Sequence, residues 1–414
     1  MSSREYSIVL LGATGYTGKL CAEHITKHLP TNLKWAIAGR SVDKLQDVVN
    51  GLKKLNADRK QPDVLSVNLN QEELNKLAKS TRILLNCVGP YHLYSTPVVA
   101  ACAENGTHYL DVTGETPWVR EMLQKYHETA KANKAILIPE IGIESAPSDL
   151  LAYITVSTIR NSLNCGVRDV TCSAQMSGAG FSGGTLATAL GIMDHYSTSE
   201  VQRAMKPFSL SPAPPPKRAS SRSLLSRLLG PFSYPGLGLL TTSVGAAPNV
   251  AIVHRSSGLM PQLYGKDFRF NEYYPVSNYA FGVLVHFAIV FGSLVLALKP
   301  VRSLIRRLVT QPGQGPTAEA FATDVLDFRA IAVADDTSDG KEKRAMAKLR
   351  YDGGMYYFTG LLLAEAAMVL LENEEDLVKE LGGGLLTPAC LGYSFIERLQ
   401  KANVKIEGHM LPGG

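Results

Sequence analysis

Short apolar runs recur through the first part of the chain at a regular beat. They fall at Ser7–Leu11, Leu33–Ala38, Val64–Val67, Ile83–Val88, His108–Val112 and Ala135–Pro139. Each is bounded by turn residues, the mark of strands buried on both faces. Between them the apolar positions take helical spacing, over Tyr16–Leu29, Asp43–Leu55, Gln71–Ala78, Thr96–Glu104 and Pro117–Ala132. This alternation predicts a parallel, doubly wound sheet, with ligands at the carboxyl ends of its strands.

The beat then changes. Val167–Met176 reads as a strand and leads through Gly178–Thr185, a glycine-rich turn, into a helix at Leu186–Tyr196. Such a turn is either a plain flexible link or an anion niche at a helix start. Lys206–Ser223 is rich in proline and serine and predicts an extended, mobile linker. After a short amphipathic stretch at Leu224–Leu229, strand patterns return at Val325–Val333 and Met346–Tyr351. Met355–Glu372 is apolar around most of its circumference, and Thr387-Pro388 opens a last helical run to Leu399.

Ala280–Leu298 is a continuous apolar run followed by Lys299, Arg302, Arg306 and Arg307. Its length sits near the lower limit for crossing a bilayer. The basic residues suit headgroups. A single crossing would strand the later strands on the wrong side, so the pattern favours a helix lying in or dipping into one leaflet. A buried core helix is the alternative.

The start of the chain carries the strongest chemical signal. Gly12-Ala13-Thr14-Gly15-Tyr16-Thr17-Gly18 connects the first strand to the first helix. Gly12 permits a tight turn, Gly15 lets backbone approach a pyrophosphate, and Gly18 lets the helix pack on the strand. The second strand ends in Gly39-Arg40-Ser41, with Lys44 one turn on. An acidic residue there would select a ribose 2′-hydroxyl. Arg40 instead offers a planar fork to a 2′-phosphate and Ser41 a hydroxyl, which favours NADP(H). The bland alternative is a solvated arginine at a surface turn. Asn86, Cys87, Val88, Gly89 and Pro90 end the fourth strand and would border the nicotinamide. The predicted fold class is α/β. A Rossmann domain spans residues 1–150. An α+β substrate domain is formed by 151–205 and 320–414, whose last helices can pack back on the first. A linker and hydrophobic, membrane-associated insertion occupies 206–319.

Composition narrows the function. The 414 residues carry a formal charge of +5 and no dense basic tract, which argues against nucleic acid. The six cysteines form no Cys-x-x-Cys pair and no metal-ligand cluster, so no metal is expected. Reduced thiols point to an intracellular compartment, and the early first strand leaves no apolar leader in this sequence.

Four ordered motifs carry a resemblance. They are Gly-Ala-Thr-Gly-Tyr-Thr-Gly, Asn86-Cys-Val-Gly-Pro-Tyr91, Glu104–Glu115 and Ala146-Pro-Ser-Asp149. Together they resemble the saccharopine dehydrogenase-like oxidoreductases, in the branch of the trans-acting enoyl reductases. Gly180–Thr185 and Gly384–Ala389 extend the similarity over nearly the whole chain. The resemblance implies an NADP-type Rossmann domain, a second α+β domain, membrane or lipid-droplet association in some relatives, and reduction of lipid or polyketide substrates in others. One departure stands out. The branch usually has Cys-Gly-Phe-Asp-Ser where this chain has Ile141-Gly-Ile-Glu144-Ser145.

The candidate reaction is hydride transfer to the double bond of a hydrophobic, lipid- or polyketide-like substrate, carrier- or CoA-linked. Saccharopine-type C–N or carbonyl reduction is the enzymatic alternative. A non-catalytic NADP-binding protein at a membrane surface is the other. Hydride acceptance requires a proton donor. Tyr91, which matches the family motif, and His92 follow the Gly-Pro turn and are candidates. Asp111 and Glu115 would orient the nicotinamide or relay the proton, or else cap the helix near Pro117. Ser148 and Asp149 read equally as a helix start. The partner expected beyond substrate is a membrane or lipid-droplet surface contacted through 280–307, on its cytoplasmic side. A homodimer is compatible with the sequence.

Overall fold

The computed structural model describes residues 4–176, 183–217, 222–308, 324–335 and 341–412. Residues 178–182, the core of the glycine-rich turn read as an anion niche, lie outside the described residues.

The first sheet contains β1 (Tyr6–Leu11), β2 (Trp35–Gly39), β3 (Asp63–Ser66), β4 (Thr81–Asn86), β5 (His108–Asp111) and β6 (Ile136–Ile138). All pair in parallel, in the order β6-β5-β4-β1-β2-β3. Alternation along β1 builds two apolar layers. Ile8 and Leu10 join Ile25 and Leu45 on one side. Val9 and Leu11 join Val98 and Trp118 on the other. The predicted strands appear within a few residues of their expected bounds. β4 stops at Asn86, leaving Cys87–Pro90 in the following loop.

The second sheet uses β7 (Val167–Met176), β8 (Phe232–Tyr234), β9 (Gly238–Thr242), β10 (Arg269–Pro275), β11 (Val325–Ala334) and β12 (Arg344–Asp352). A late strand, β13 (Gly384–Leu385), crosses to the first sheet beside β6, and β14 (Lys405–Met410) edges the second. The second sheet runs β14-β12-β11-β7-β10-β9-β8, with only β7 and β10 parallel. Residues 206–319 are therefore not simply linker and insertion, because β8, β9 and β10 are integral to this sheet. Nor is the Pro/Ser segment loose over its described part. His254 holds the Pro207 carbonyl, Arg255 the Leu210 carbonyl and Arg269 the Pro216 carbonyl. Side chains reaching into backbone carbonyls replace the hydrogen bonds that a proline-rich backbone cannot make for itself.

The apolar run forms a helix over Tyr279–Leu296 that is 6% buried, which excludes the core-helix alternative. Its first turns are seated on the second sheet, where Thr241 donates to the Gly282 carbonyl and Thr242 meets His286 at 2.7 Å. The rest projects, exposing Leu284, Phe291, Leu294 and Val295. A helix over Lys299–Leu308 returns. Arg302 pins that turn: it is buried, ion-paired to Asp194 at 2.7 Å, and donates to the carbonyls of Leu296 and Ala297. It is thus not a headgroup contact, whereas Lys299 and Arg307 are exposed. Strands β10 and β11, on either side of the excursion, both pair with β7. A single crossing between them is excluded.

Candidate active site

The loop after β1 has the geometry a diphosphate needs. Gly12 adopts φ +87°, and a Cβ there would lie 2.9 Å from the Cys87 backbone. A Cβ on Gly18 would collide with the Gly12 carbonyl oxygen. Both positions tolerate only glycine. Gly15 caps the helix Tyr16–His28, and no side chain at the cap satisfies the amides of its first turn. A helix start of this kind, with its dipole, suits an anion. At the end of β2, Arg40 is exposed. Ser41 caps the helix Val42–Leu55, its hydroxyl facing the Lys44 amide at 3.5 Å. Thr14 and Lys44 line one cavity of about 350 Å³ between the first two helices. The residues fit NADP(H): amides for the diphosphate, a cationic turn for the 2′-phosphate.

The other half of the edge is a network of buried polar groups. Asn86 holds its own loop, accepting from the Val88 amide and donating to Ser95 and to the Tyr109 hydroxyl. Tyr109 donates to Asp111 at 2.7 Å, and Asp111 accepts the amides of Thr113 and Glu140. Burial raises the Asp111 carboxyl to about 7 despite these bonds. Glu115 does not cap the helix that follows it. It instead accepts the Tyr91 and His92 amides, and meets His92 Nδ1 at 2.5 Å.

Both expected proton donors are buried. The Tyr91 hydroxyl donates to the Asn86 carbonyl, and its buried ring tilts against Trp118. His92 is buried, bound to Glu115 and roofed by Gly191 and His195. Ser148 and Asp149 are more than a helix start. Ser148 donates to Glu272, while Asp149 accepts from Ser256 and the Ala389 amide, tying three distant segments.

Sequence reasoning gave no role to Glu140, Asn249 or Glu272. Ser145 bridges Glu140 at 2.7 Å and Asn249, and Asn249 donates to Glu272 at 2.7 Å, which joins the edge of the first sheet to β10. The unread strand β10 hid Glu272, an acid at a core-facing position. Glu140 carries φ +61°, unusual for a non-glycine residue. Glu144 differs from the other acids. It is half-buried, and no hydrogen bond holds its carboxyl group among the described residues. It lies against Gly114, where an added Cβ would collide with Oε2. Desolvation, then the charge of Glu115, raise its pKa.

A nicotinamide nucleotide site on a doubly wound sheet defines a dehydrogenase-type enzyme, and residues 8–138 match the saccharopine dehydrogenase NADP binding domain. This is an NADP(H)-binding oxidoreductase. A trans-acting enoyl reductase of Mycobacterium tuberculosis is 31% identical over 420 residues, covering 97% of each chain. A trans-acting enoyl reductase of Mycobacterium ulcerans is 28% identical over 436 residues, covering 99% of each. Apo saccharopine dehydrogenase (L-Glu forming) from Saccharomyces cerevisiae has the same fold. It covers 98% of this chain and 100% of its own, with a TM-score of 0.59 at 11% identity. The chain belongs to the saccharopine dehydrogenase-like oxidoreductase family, in the branch of the trans-acting enoyl reductases.

Proposed function

We propose that this oxidoreductase reduces the enoyl double bond of a lipid- or polyketide-like acyl thioester. The observation that carries the reading is the lack of cations paired with the acids of the site among the described residues. Asp111, Glu115, Glu140, Glu144, Asp149 and Glu272 gather at the edge, and among the described residues no lysine or arginine is paired with any of them. An amino dicarboxylate of the saccharopine type needs cations there and meets carboxyl groups instead. A neutral enoyl thioester needs no such cations. The relatives named trans-acting enoyl reductases support the same choice.

When bound, NADPH supplies the hydride. The chain's own residues do the rest. Gly12 to Gly18 and Arg40 orient the nucleotide, and the Asn86 network holds the loop that borders its reactive end. Hydride delivered to the β-carbon would leave the electron pair on the thioester oxygen, and the α-carbon would then need a proton from the chain. Glu144 is suited to give that proton, since its raised pKa favours the protonated carboxyl and its partial exposure lets solvent return the proton. The projecting helix over Tyr279–Leu296, with Lys299 and Arg307 behind it, supports a position on an anionic membrane from which apolar substrate is drawn.

The test is NADPH oxidation with enoyl thioesters. Glu144→Gln is expected to lower kcat about a hundredfold with NADPH affinity retained. The rate should also fall with rising pH as Glu144 loses its proton. Oxidation supported by an imine of an amino acid but by no enoyl thioester would overturn the reading.

A further inference from the structure

One sizeable cavity belongs to none of this machinery. It encloses about 570 Å³ between the helix Thr116–Ala132, the helix Thr198–Ala204, the strapped segment after it, and β10. Its charged lining is wholly cationic: Arg120, Arg203, Lys206 and Arg269. Arg120, Arg203 and Lys206 form no ion pair among the described residues, and Arg269 is braced on the Pro216 carbonyl at 2.9 Å. Four cations gathered in one lining repel one another, and an anion relieves that cost.

The wall beside them is rigid and apolar. Phe208 stacks on His254 with ring centroids 3.8 Å apart. His254 donates from Nδ1 to the Pro207 carbonyl and accepts the Phe270 amide on Nε2, so it serves as a neutral strut. Burial holds its pKa down to about 4, which keeps the strut uncharged. An anion of mixed character, part phosphate and part apolar arm, matches such a lining.

The position narrows the ligand. Arg120 lies five residues beyond Glu115 on one helix, roughly 7.5 Å along its axis at 1.5 Å per residue. Glu115 is the residue that holds the Tyr91–His92 backbone at the cofactor edge. The helix that begins just after Glu115 thus forms both a border of the cofactor edge and a wall of the cavity.

We infer that this cavity binds the phosphate of a 4′-phosphopantetheine arm, on coenzyme A or on a carrier protein, while the thioester at the other end of the arm reaches the active site. The identity of the arm rests on the enoyl thioester reading above. The cationic site itself rests on the lining alone.

Calorimetry on the full chain saturated with NADP⁺, which occupies the other nucleotide site, tests it. The probes are coenzyme A and phosphate-free pantetheine, then a phosphopantetheinylated carrier protein and its apo form. Coenzyme A or the modified carrier should bind at least about tenfold more tightly than its phosphate-free counterpart, and added salt should weaken that binding. Arg203→Glu with Lys206→Glu changes two exposed side chains. It should cost about tenfold or more in that affinity while NADPH binds as before. Arg120→Gln provides a second variant with no charge reversal, and should give a smaller loss. Preference for coenzyme A alone or for the carrier alone identifies the source and supports the site. Equal affinity with and without phosphate, no binding of either probe, or binding unchanged in the variants would overturn it. Because no turnover is measured, these results are independent of whether an enoyl thioester is reduced.

Discussion

Two helices of equal length and similar composition have opposite fates. Tyr279–Leu296 and Met355–Glu372 each span 18 residues and are apolar enough to cross a bilayer, yet one is 6% buried and the other 83%. Small residues and a buried charge make the difference. The second helix places Gly360 against the helix Tyr16–His28, where a Cβ would lie 2.8 Å from the Cys21 amide nitrogen. It also carries Glu365, which meets His24 and accepts from Arg398, each at 2.8 Å. A charge satisfied by two partners fixes one face of a helix inside a protein. The projecting helix has neither device beyond its seat at Gly282. Large apolar side chains point out along its length, where a lipid phase rather than a core would receive them. Hydropathy measures what a helix avoids; close approach and polar pairing decide where it goes.

The contrast can be broken at several points. Gly360→Leu should separate two packed helices and cost about 3 kcal/mol in urea unfolding. A loss indistinguishable from that at an exposed site would remove the packing argument. Glu365→Gln should cost about 2 kcal/mol, because Arg398 and His24 lose a charged partner. An unchanged midpoint would show that the pair fixes nothing. On the projecting helix, Phe291→Asp with Leu294→Asp should leave the unfolding curve nearly unmoved. The same change should cut co-flotation with anionic vesicles about tenfold, or ~1.4 kcal/mol. Equal flotation of wild type and variant would refute the membrane role. The smallest effect is Gly292→Ala, where nothing lies within 4 Å, and a gain below about 1 kcal/mol is expected.

The polar ties of the enclosed region also titrate. Asp149 has its carboxyl raised from 3.8 to about 7 by burial. The folded state therefore holds the proton more tightly than the unfolded chain. The stability this contributes is full below about pH 4 and lost as pH rises through about 7. His254, held down to about 4, opposes it, since its contribution is lost as pH falls from about 6.5 through 4. Comparing wild type with Asp149→Asn isolates the first effect. The variant should gain relative to wild type on going from pH 5 to pH 8, and parallel profiles would contradict the assignment.

The elements governed by local pattern were legible in the sequence. The glycines after β1, the turn at Arg40 and the parallel beat of the first sheet are short-range signals, and the structure follows them closely. What was not legible depends on distant partners. Glu115 precedes a helix and looks like its cap, but its carboxylate serves the amides of Tyr91 and His92. Tyr91 and His92 stand at the right strand end, yet both are buried, with the Tyr91 hydroxyl on the Asn86 carbonyl and His92 Nδ1 on Glu115. The prolines of 206–216 suggested a loose linker because the arginines that strap this segment lie 45 and 53 residues later. Arg302 belonged to a basic cluster by position and to Asp194 by geometry.

The strand Gly384–Leu385 is two residues long, but it sets the order in which the enzyme can be completed. It extends the nucleotide-binding sheet beside β6. A ribosome releases β6, which ends at Ile138, well before this strand, which begins at Gly384. Until then, β6 presents a bare edge, and the sheet that cradles the cofactor waits for a segment of its own polypeptide made long after it.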